Sequence, residues 1–260
     1  MNQQLYIISG KGGTGKTSVS IALCKKLQQE NKKVLYTAFD HEVDQILLDE
    51  LSLPFFDTTV EKSCEKYIEL KLKSATIAKW IMKTPFFSAL FSILPSLGSM
   101  ILLGHYIKNL ENDPDLVIVL DSPATGHAKS MIEATYNFNE IFRAGVLVKD
   151  IQRMHNFLHN ENNVKCIICS LPTEMSLQEA SELKSFMTEK NIKNTSILLN
   201  NYLQGNGSKI EFLSKKENAE TEILKKFSEE NKIDFKIPKF FTHDKSTVIT
   251  KISKFLEELS

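Results

Sequence analysis

The stretch GKGGTGKT, residues 10–17, fits the spacing G-x-x-x-x-G-K-[S/T] between a short apolar run and an amphipathic stretch. Residues of these types at this spacing hold phosphate. Gly10, Gly12, Gly13 and Gly15, with Thr14 among them, let successive backbone N–H groups curl around phosphate oxygens. The start of the following helix adds a partial positive charge. Lys16 is spaced to reach the β- and γ-phosphates of a nucleotide, and the Thr17 hydroxyl to ligate Mg²⁺. Ser18 stands within reach of the α-phosphate. One ammonium serves one set of phosphates, so Lys11, at the start of the same loop, needs a different task.

Binding is not hydrolysis, which also requires an acid near the metal and a group that orients water. Asp121 closes the continuous apolar run LVIVLD (116–121), the pattern of a central strand buried on both faces. Ligands in such sheets sit at the carboxyl ends of strands, so Asp121 is the candidate acid, acting through a metal-bound water. Asp40 follows the run VLYTA (34–38) and is the candidate for the attacking water. A turn or helix-capping aspartate is the competing reading.

These residues must be positioned by strands alternating with helices. LYIIS (5–9) reads as a strand, followed by the glycine-rich turn and a helix from about Thr17 to Glu30 with Val19, Leu23 and Leu27 on one stripe. After VLYTA comes a mostly helical region to about Asn112, broken at Pro54, Pro85 and Pro95. Beyond LVIVLD follow KCIICS (165–170), a helix over 176–190, TSILLN (195–200), a polar helix from about Lys209, DFKIP (234–238) and a last helix over 246–259. That last helix carries Val248, Ile249, Ile252, Phe255, Leu256 and Leu259 on one face, expected to dock on the domain. The alternation predicts an α/β fold: a doubly wound, mainly parallel sheet of the P-loop NTPase kind. One domain over residues 1–260 is expected, with a helical insertion at about 55–112 and a surface loop at QGNGSK (204–209).

Composition excludes some classes. The 32 basic and 32 acidic residues cancel, so no global field favours nucleic acid or an anionic membrane. No signal peptide is visible, and four cysteines are too few for a disulfide scaffold, so the expected location is cytoplasmic. The run TPFFSALFSILPSLGSMILLGHYI (84–107) has no charged residue and is long enough to span a bilayer. Pro95, Gly98 and four serines interrupt it, and it lies between two segments that must meet at one nucleotide. It is read as buried or groove-forming helices, with no stable membrane span.

KGGTGKT with its leading Lys11 resembles the deviant phosphate loop of the Min and Par partition ATPases, nitrogenase iron protein and arsenite-pump ATPases. DSPATGHA (121–128) narrows the resemblance to the anion-transporting ATPases: the arsenite-pump enzyme and the ATPase of guided entry of tail-anchored proteins. LPTEMSLQEASEL (171–183) and LLNN (198–201) resemble two further segments of that family, the second ending in an asparagine that contacts the base, here Asn200. The resemblance implies a Mg²⁺-dependent ATPase that closes as a dimer around two ATP molecules, with itself or with a related ATPase. Lys11 would reach the phosphates of the opposite subunit, Asp40 would activate water, and the Gly126 N–H would meet the γ-phosphate. Loss of that phosphate would relax 121–131, making a switch.

The chain departs from the family at DHEVD (40–44), where the family reads Asp-Pro-Ala-His. It also lacks the cysteine pair that holds zinc across the eukaryotic guided-entry dimer and the three-cysteine metalloid site of the arsenite enzymes. Other tempting residues point elsewhere. Cys166 and Cys169 sit three apart on a strand and face opposite ways, as buried small hydrophobes do. His155 and His159 lack a third ligand and are expected to face solvent. The expected function is an ATP-driven dimeric switch that handles a hydrophobic client or a membrane-protein partner, the run at 84–107 serving as client groove or as core. The alternatives are an ATP-holding regulatory module with little turnover and the energising subunit of an anion efflux pump.

Overall fold

The computed structural model describes residues 3–39, 42–87, 89, 95–141, 146–203, 211–230 and 232–256. Among these, strands β1 (Leu5–Gly10), β2 (Lys33–Ala38), β3 (Leu116–Asp121), β4 (Val164–Ser170), β5 (Thr195–Tyr202) and β6 (Phe235–Pro238) form one sheet in the order β2-β3-β1-β4-β5-β6, every pairing parallel. Parallel neighbours require crossovers, and helices supply them. The doubly wound, parallel α/β fold expected from the alternation is the one observed.

The order has a consequence for the site. β1 lies between β3 and β4, so the chain leaves it on one side toward β2 and β3 and later crosses to β4, β5 and β6 on the other. A crevice opens at the carboxyl end of a strand where connections diverge in this way. The glycine-rich loop issues from that end of β1. Asp121 stands in register with Ile8, two residues before the end of β1.

β1 and β3 are buried along their whole length, as strands covered on both faces must be. One face packs Leu5, Ile7, Ile118 and Cys166 under α5 (Pro95–Asn112), α6 (Thr125–Ile141), α7 (Val146–His159) and α8 (Glu174–Glu189). The other packs Tyr6, Ile8, Val119 and Cys169 under α1 (Lys16–Gln29), α2 (Gln45–Glu50) and α10 (Lys245–Phe255). The two cysteines thus enter opposite cores, as strand alternation predicts. In α10, Ile249, Ile252 and Leu256 dock beside α1, with Phe255 half exposed; Leu259 lies outside the described residues. The polar helix α9 (Glu211–Glu230) precedes β6, and the loop at 204–209 lies outside the described residues.

Between β2 and β3 run α2, α3 (Val60–Leu72), α4 (Ala75–Met82) and α5. Pro95 opens α5 at the position where a missing N–H costs nothing. Met100, Leu103, Tyr106, Ile107 and Leu110 recur at spacings of three and four and are buried in the core. The described part of the charge-free run at 84–107 therefore splits, its α5 portion being core; residues 88 and 90–94 lie outside the described residues. Among the described residues no helix is long and apolar enough to cross a membrane.

Candidate functional site

The glycine-rich loop depends on glycine where the chain turns hardest. Gly10 has φ +140°, and a Cβ there would sit 2.2 Å from the Cys169 carbonyl oxygen, so β4 closes on β1 only because no side chain intervenes. Gly15, at φ +87°, caps α1, and its missing Cβ leaves room for the Asn200 amide. Helices α2, α3, α4, α8 and α10 each start on an Asp, Thr or Ser whose side chain accepts a backbone N–H. α1 starts without such a cap and without an acid in its first turn. Its leading N–H groups remain directed at the loop, the arrangement that receives an anion.

The two lysines of the loop point to different places. Lys16 Nζ donates to the Lys11 carbonyl at 3.2 Å, folding over its own loop, and Thr14 Oγ1 donates to the same carbonyl at 2.9 Å. Lys11 Nζ runs outward to α8, where it pairs with Glu179 Oε1 at 2.5 Å and meets Met175 Sδ at 2.9 Å. About a third of each of the Lys11 and Glu179 side chains is exposed. An ion pair that open contributes at most about 1 kcal/mol and is readily exchanged for a stronger partner.

Asp121 is fully buried at the end of β3, and Tyr36 on β2 donates its hydroxyl to Asp121 Oδ2 at 3.0 Å. The next residue stays tied to the sheet, with Ser122 N–H donating to the Ile8 carbonyl. The buried Cys169 thiol senses both sides of the crevice. Burial and the Asp121 carboxylate push its pKa up, while the Lys16 ammonium pulls the other way. Burial, with Asp121 beside it, likewise holds the Tyr36 phenol protonated and donating. The loop lysine and the strand-end acid thus both act on the thiol between them.

The remaining sequence candidates fall as follows. Gly12, Gly13 and Thr17 are exposed on the loop and first helical turn, and Ser18 is partly buried. Gly126 is exposed in the first turn of α6, directly after the β3 end. Asn200 is almost wholly buried and lies beneath the loop. Its Nδ2 donates to the Thr14 carbonyl at 2.9 Å, and its Oδ1 accepts from the Asn201 N–H. It braces the loop, and one Nδ2 hydrogen remains for another acceptor. Asp40 lies outside the described residues. His155 and His159 correct the expectation of a solvent-facing pair: both rings stack in line with Tyr136, and His155 Nε2 lies 3.0 Å from Thr135 Oγ1. Packing drives this, since the rings cover one another between α6 and α7.

Sequence reasoning missed two participants. Glu179 lies within the quoted segment 171–183 but 168 residues from Lys11, so its pairing had no local signal. Tyr36 is one of several apolar-looking residues of β2. Its polar end becomes visible only when β3 brings Asp121 alongside.

The donors suit a magnesium nucleotide. Thr17 offers a hydroxyl and Asp121 a carboxylate, the hard oxygen ligands that Mg²⁺ takes. Among the described residues no cluster of three acidic, His or Cys groups could hold a metal. Mg²⁺ at a nucleotide does not need one, because phosphates and water complete its shell. Among the described residues, Ser9 Oγ and Thr125 Oγ1, at the β1 end and the start of α6, are buried without a hydrogen-bond partner. Buried hydroxyls are rarely left so in a finished site.

Relatives and a family profile bear on the fold and the family. The chain is 24% identical over 165 residues to a putative arsenical pump-driving ATPase 2 of Aquifex aeolicus, covering 56% of this chain and 54% of that protein. It is 24% identical over 136 residues to an ATPase ASNA1 homolog of Cryptosporidium parvum, covering 48% of this chain and 36% of that protein. The matches thus span about half of the first relative and about a third of the second. Both names agree with the resemblance to anion-transporting ATPases carried by KGGTGKT and DSPATGHA. The profile of the CobQ/CobB/MinD/ParA nucleotide binding domain matches residues 5–235, from β1 into β6. The chain belongs to that family of nucleotide-binding domains.

Proposed function

We propose that this protein is a Mg²⁺-dependent, ATP-hydrolysing dimeric switch of the arsenite-pump and guided-entry type, working in the cytoplasm. Nucleotide-driven closure is coupled to a hydrophobic client or a membrane-protein partner. The observation that carries this reading is the division between the two loop lysines. Lys16 folds over its own loop, while Lys11 is held by Glu179 of α8, outside the loop.

In this scheme Lys16 and the loop N–H groups take the phosphates. Thr17 and, through water, Asp121 hold Mg²⁺, and Ser18 meets the α-phosphate. Bound Mg²⁺ would offset phosphate charge. Asp40 orients the attacking water, and Asn200 offers its remaining amide hydrogen to the base. On closure Lys11 leaves Glu179 for the phosphates of the other subunit, whether an identical chain or a related ATPase. A charge-assisted bond to phosphate is stronger than a partly exposed ion pair, so the exchange is favourable. The Gly126 N–H meets the γ-phosphate, and its loss after hydrolysis relaxes 121–131. For the client, Ile77, Trp80 and Phe86 expose large apolar surface along α4 and the residues that follow, and such surface marks interaction.

Light scattering after size exclusion tests the scheme. Wild type should be monomeric with ADP and dimeric with a transition-state mimic, and Lys11→Ala should bind nucleotide yet stay monomeric and inactive. A Lys11→Ala protein that hydrolyses ATP normally as a monomer sinks the proposal. The altered DHEVD segment favours a second reading, an ATP-holding regulator with little turnover. Turnover that falls sharply in Asp40→Asn excludes it. An anion-efflux role would need a metalloid site, whereas all four cysteines are buried. Metalloid-stimulated turnover would revive it.

A further inference from the structure

The helical layer holds a cavity of about 260 Å³ that shares no residue with the glycine-rich loop or the strand ends. Three helix faces meet there at spacings of three and four. α3 supplies Ser63, Tyr67 and Leu70, α5 supplies Met100 and Gly104, and α7 supplies Met154. Gly104 keeps the floor open, because a Cβ there would meet Met154 Sδ at 2.9 Å. The walls are mainly apolar.

The rim is cationic, and most of its charge is already spent. Lys66, Lys71, Lys108 and Arg153 line the cavity, against Asp150 as the lining acid. Asp150 takes Lys71 at 2.7 Å and the Tyr67 hydroxyl at 2.9 Å. Arg153 pairs with Glu111 at 3.3 Å, and Lys66 with Glu69 at 3.0 Å. Lys108 has no ion-pair or hydrogen-bond partner among the described residues. Burial lowers the pKa of His105, and its Nδ1 is engaged with Ser63 Oγ at 2.9 Å, so it adds no second charge at neutral pH.

We infer that this cavity binds a free single-chain amphiphile carrying one carboxylate, its chain on the Met100–Met154 floor and its head group on Lys108. One unpaired ammonium matches one negative charge. Arg153 Nε is buried without a hydrogen bond among the described residues, but the charge of the guanidinium is balanced by Glu111 at 3.3 Å and Asp150 at 3.8 Å, which leaves Lys108 as the lining cation without a carboxylate neighbour among those residues. An apolar cavity of roughly 150 Å³ is enough for benzene, so about 260 Å³ has room for a somewhat longer apolar group. That is one short alkyl chain and excludes a bilayer surface.

The test is calorimetric titration of the full chain with decanoate below its micelle concentration, with decanol and anionic phosphatidylglycerol vesicles as parallel arms. Decanoate should bind saturably with one site per chain. Lys108→Glu should weaken it roughly ten- to hundredfold, the worth of a charge-assisted hydrogen bond. Leu70→Asp, a half-exposed wall position, should weaken it comparably, and both variants should bind nucleotide as wild type does, which verifies the fold. Absence of saturable binding overturns the inference. So does equal affinity for decanol, binding to vesicles without binding to monomeric decanoate, or decanoate affinity unchanged in both variants. None of these readouts depends on ATP hydrolysis, so the inference and the proposed switch fail separately.

Discussion

The nucleotide end of the sheet and the helical layer between β2 and β3 are built on different physics. At the nucleotide end the geometry is made by backbone: a glycine loop, an uncapped helix start and one buried carboxylate held by Tyr36. In the helical layer it is made by apolar area, and the same residue types serve two ends. Leu103, Tyr106 and Leu110 in α5 have no exposed surface, whereas Trp80 in α4 is 68% exposed and Ile77 47%. Apolar character alone therefore does not say whether a side chain holds the domain together or waits for a partner.

The sharpest break of that contrast is Tyr106→Ala. The ring is fully buried and its hydroxyl lies 3.1 Å from Thr37 Oγ1, so urea unfolding should show a loss of roughly 3–5 kcal/mol. Lys16→Ala should leave stability near wild type and weaken nucleotide binding on the order of a hundredfold in a fluorescent-nucleotide titration. Tyr36→Phe removes one buried hydrogen bond, costing about 1 kcal/mol, and should raise the Mg²⁺ concentration needed for nucleotide binding while leaving Mg²⁺-free ADP affinity unchanged. An unchanged Mg²⁺ requirement would detach Tyr36 from the metal.

His155 gives a pH signature to the helical layer. Burial between α6 and α7 lowers its pKa from 6.5 to about 4, so between those values the unfolded chain binds a proton that the folded one refuses. The stability linked to its neutral ring is present above pH 6.5 and is lost as pH falls toward about 4. His155→Gln should flatten that part of the melting-temperature profile, and a profile as steep as wild type would assign the slope elsewhere. The smallest effect belongs to Trp80→Ser, which should alter stability by less than about 0.5 kcal/mol, as at an exposed site. A large loss there would erase the distinction between α4 and α5.

What could be read in advance follows the range of the interactions. Gly10 to Thr17 act on their own backbone and the next helix, so spacing was enough to place the loop between β1 and α1. The run LVIVLD announced a strand buried on both faces, and Asp121 was found at its end. Lys11 could be recognised as surplus, but its partner Glu179 could not, because only the packing of α8 beside the loop joins them. Asn200 was legible as a strand-end residue, and its place beneath Thr14 was not. His155 and His159 were misjudged because helical spacing shows that two residues share a face without showing what covers it.

The sequence by itself determined the alternation of strands and helices, the glycine loop and the acid at the end of β3. Each of these is a matter of neighbouring residues and the two periods of backbone geometry. Tertiary structure alone decided the strand order that opens the crevice at β1, the holding of Lys11 by Glu179, and the split of the apolar helices into core and exposed surface. Those outcomes rest on contacts between segments far apart in the chain. Such contacts are settled by which faces can be buried together, and no local pattern encodes that.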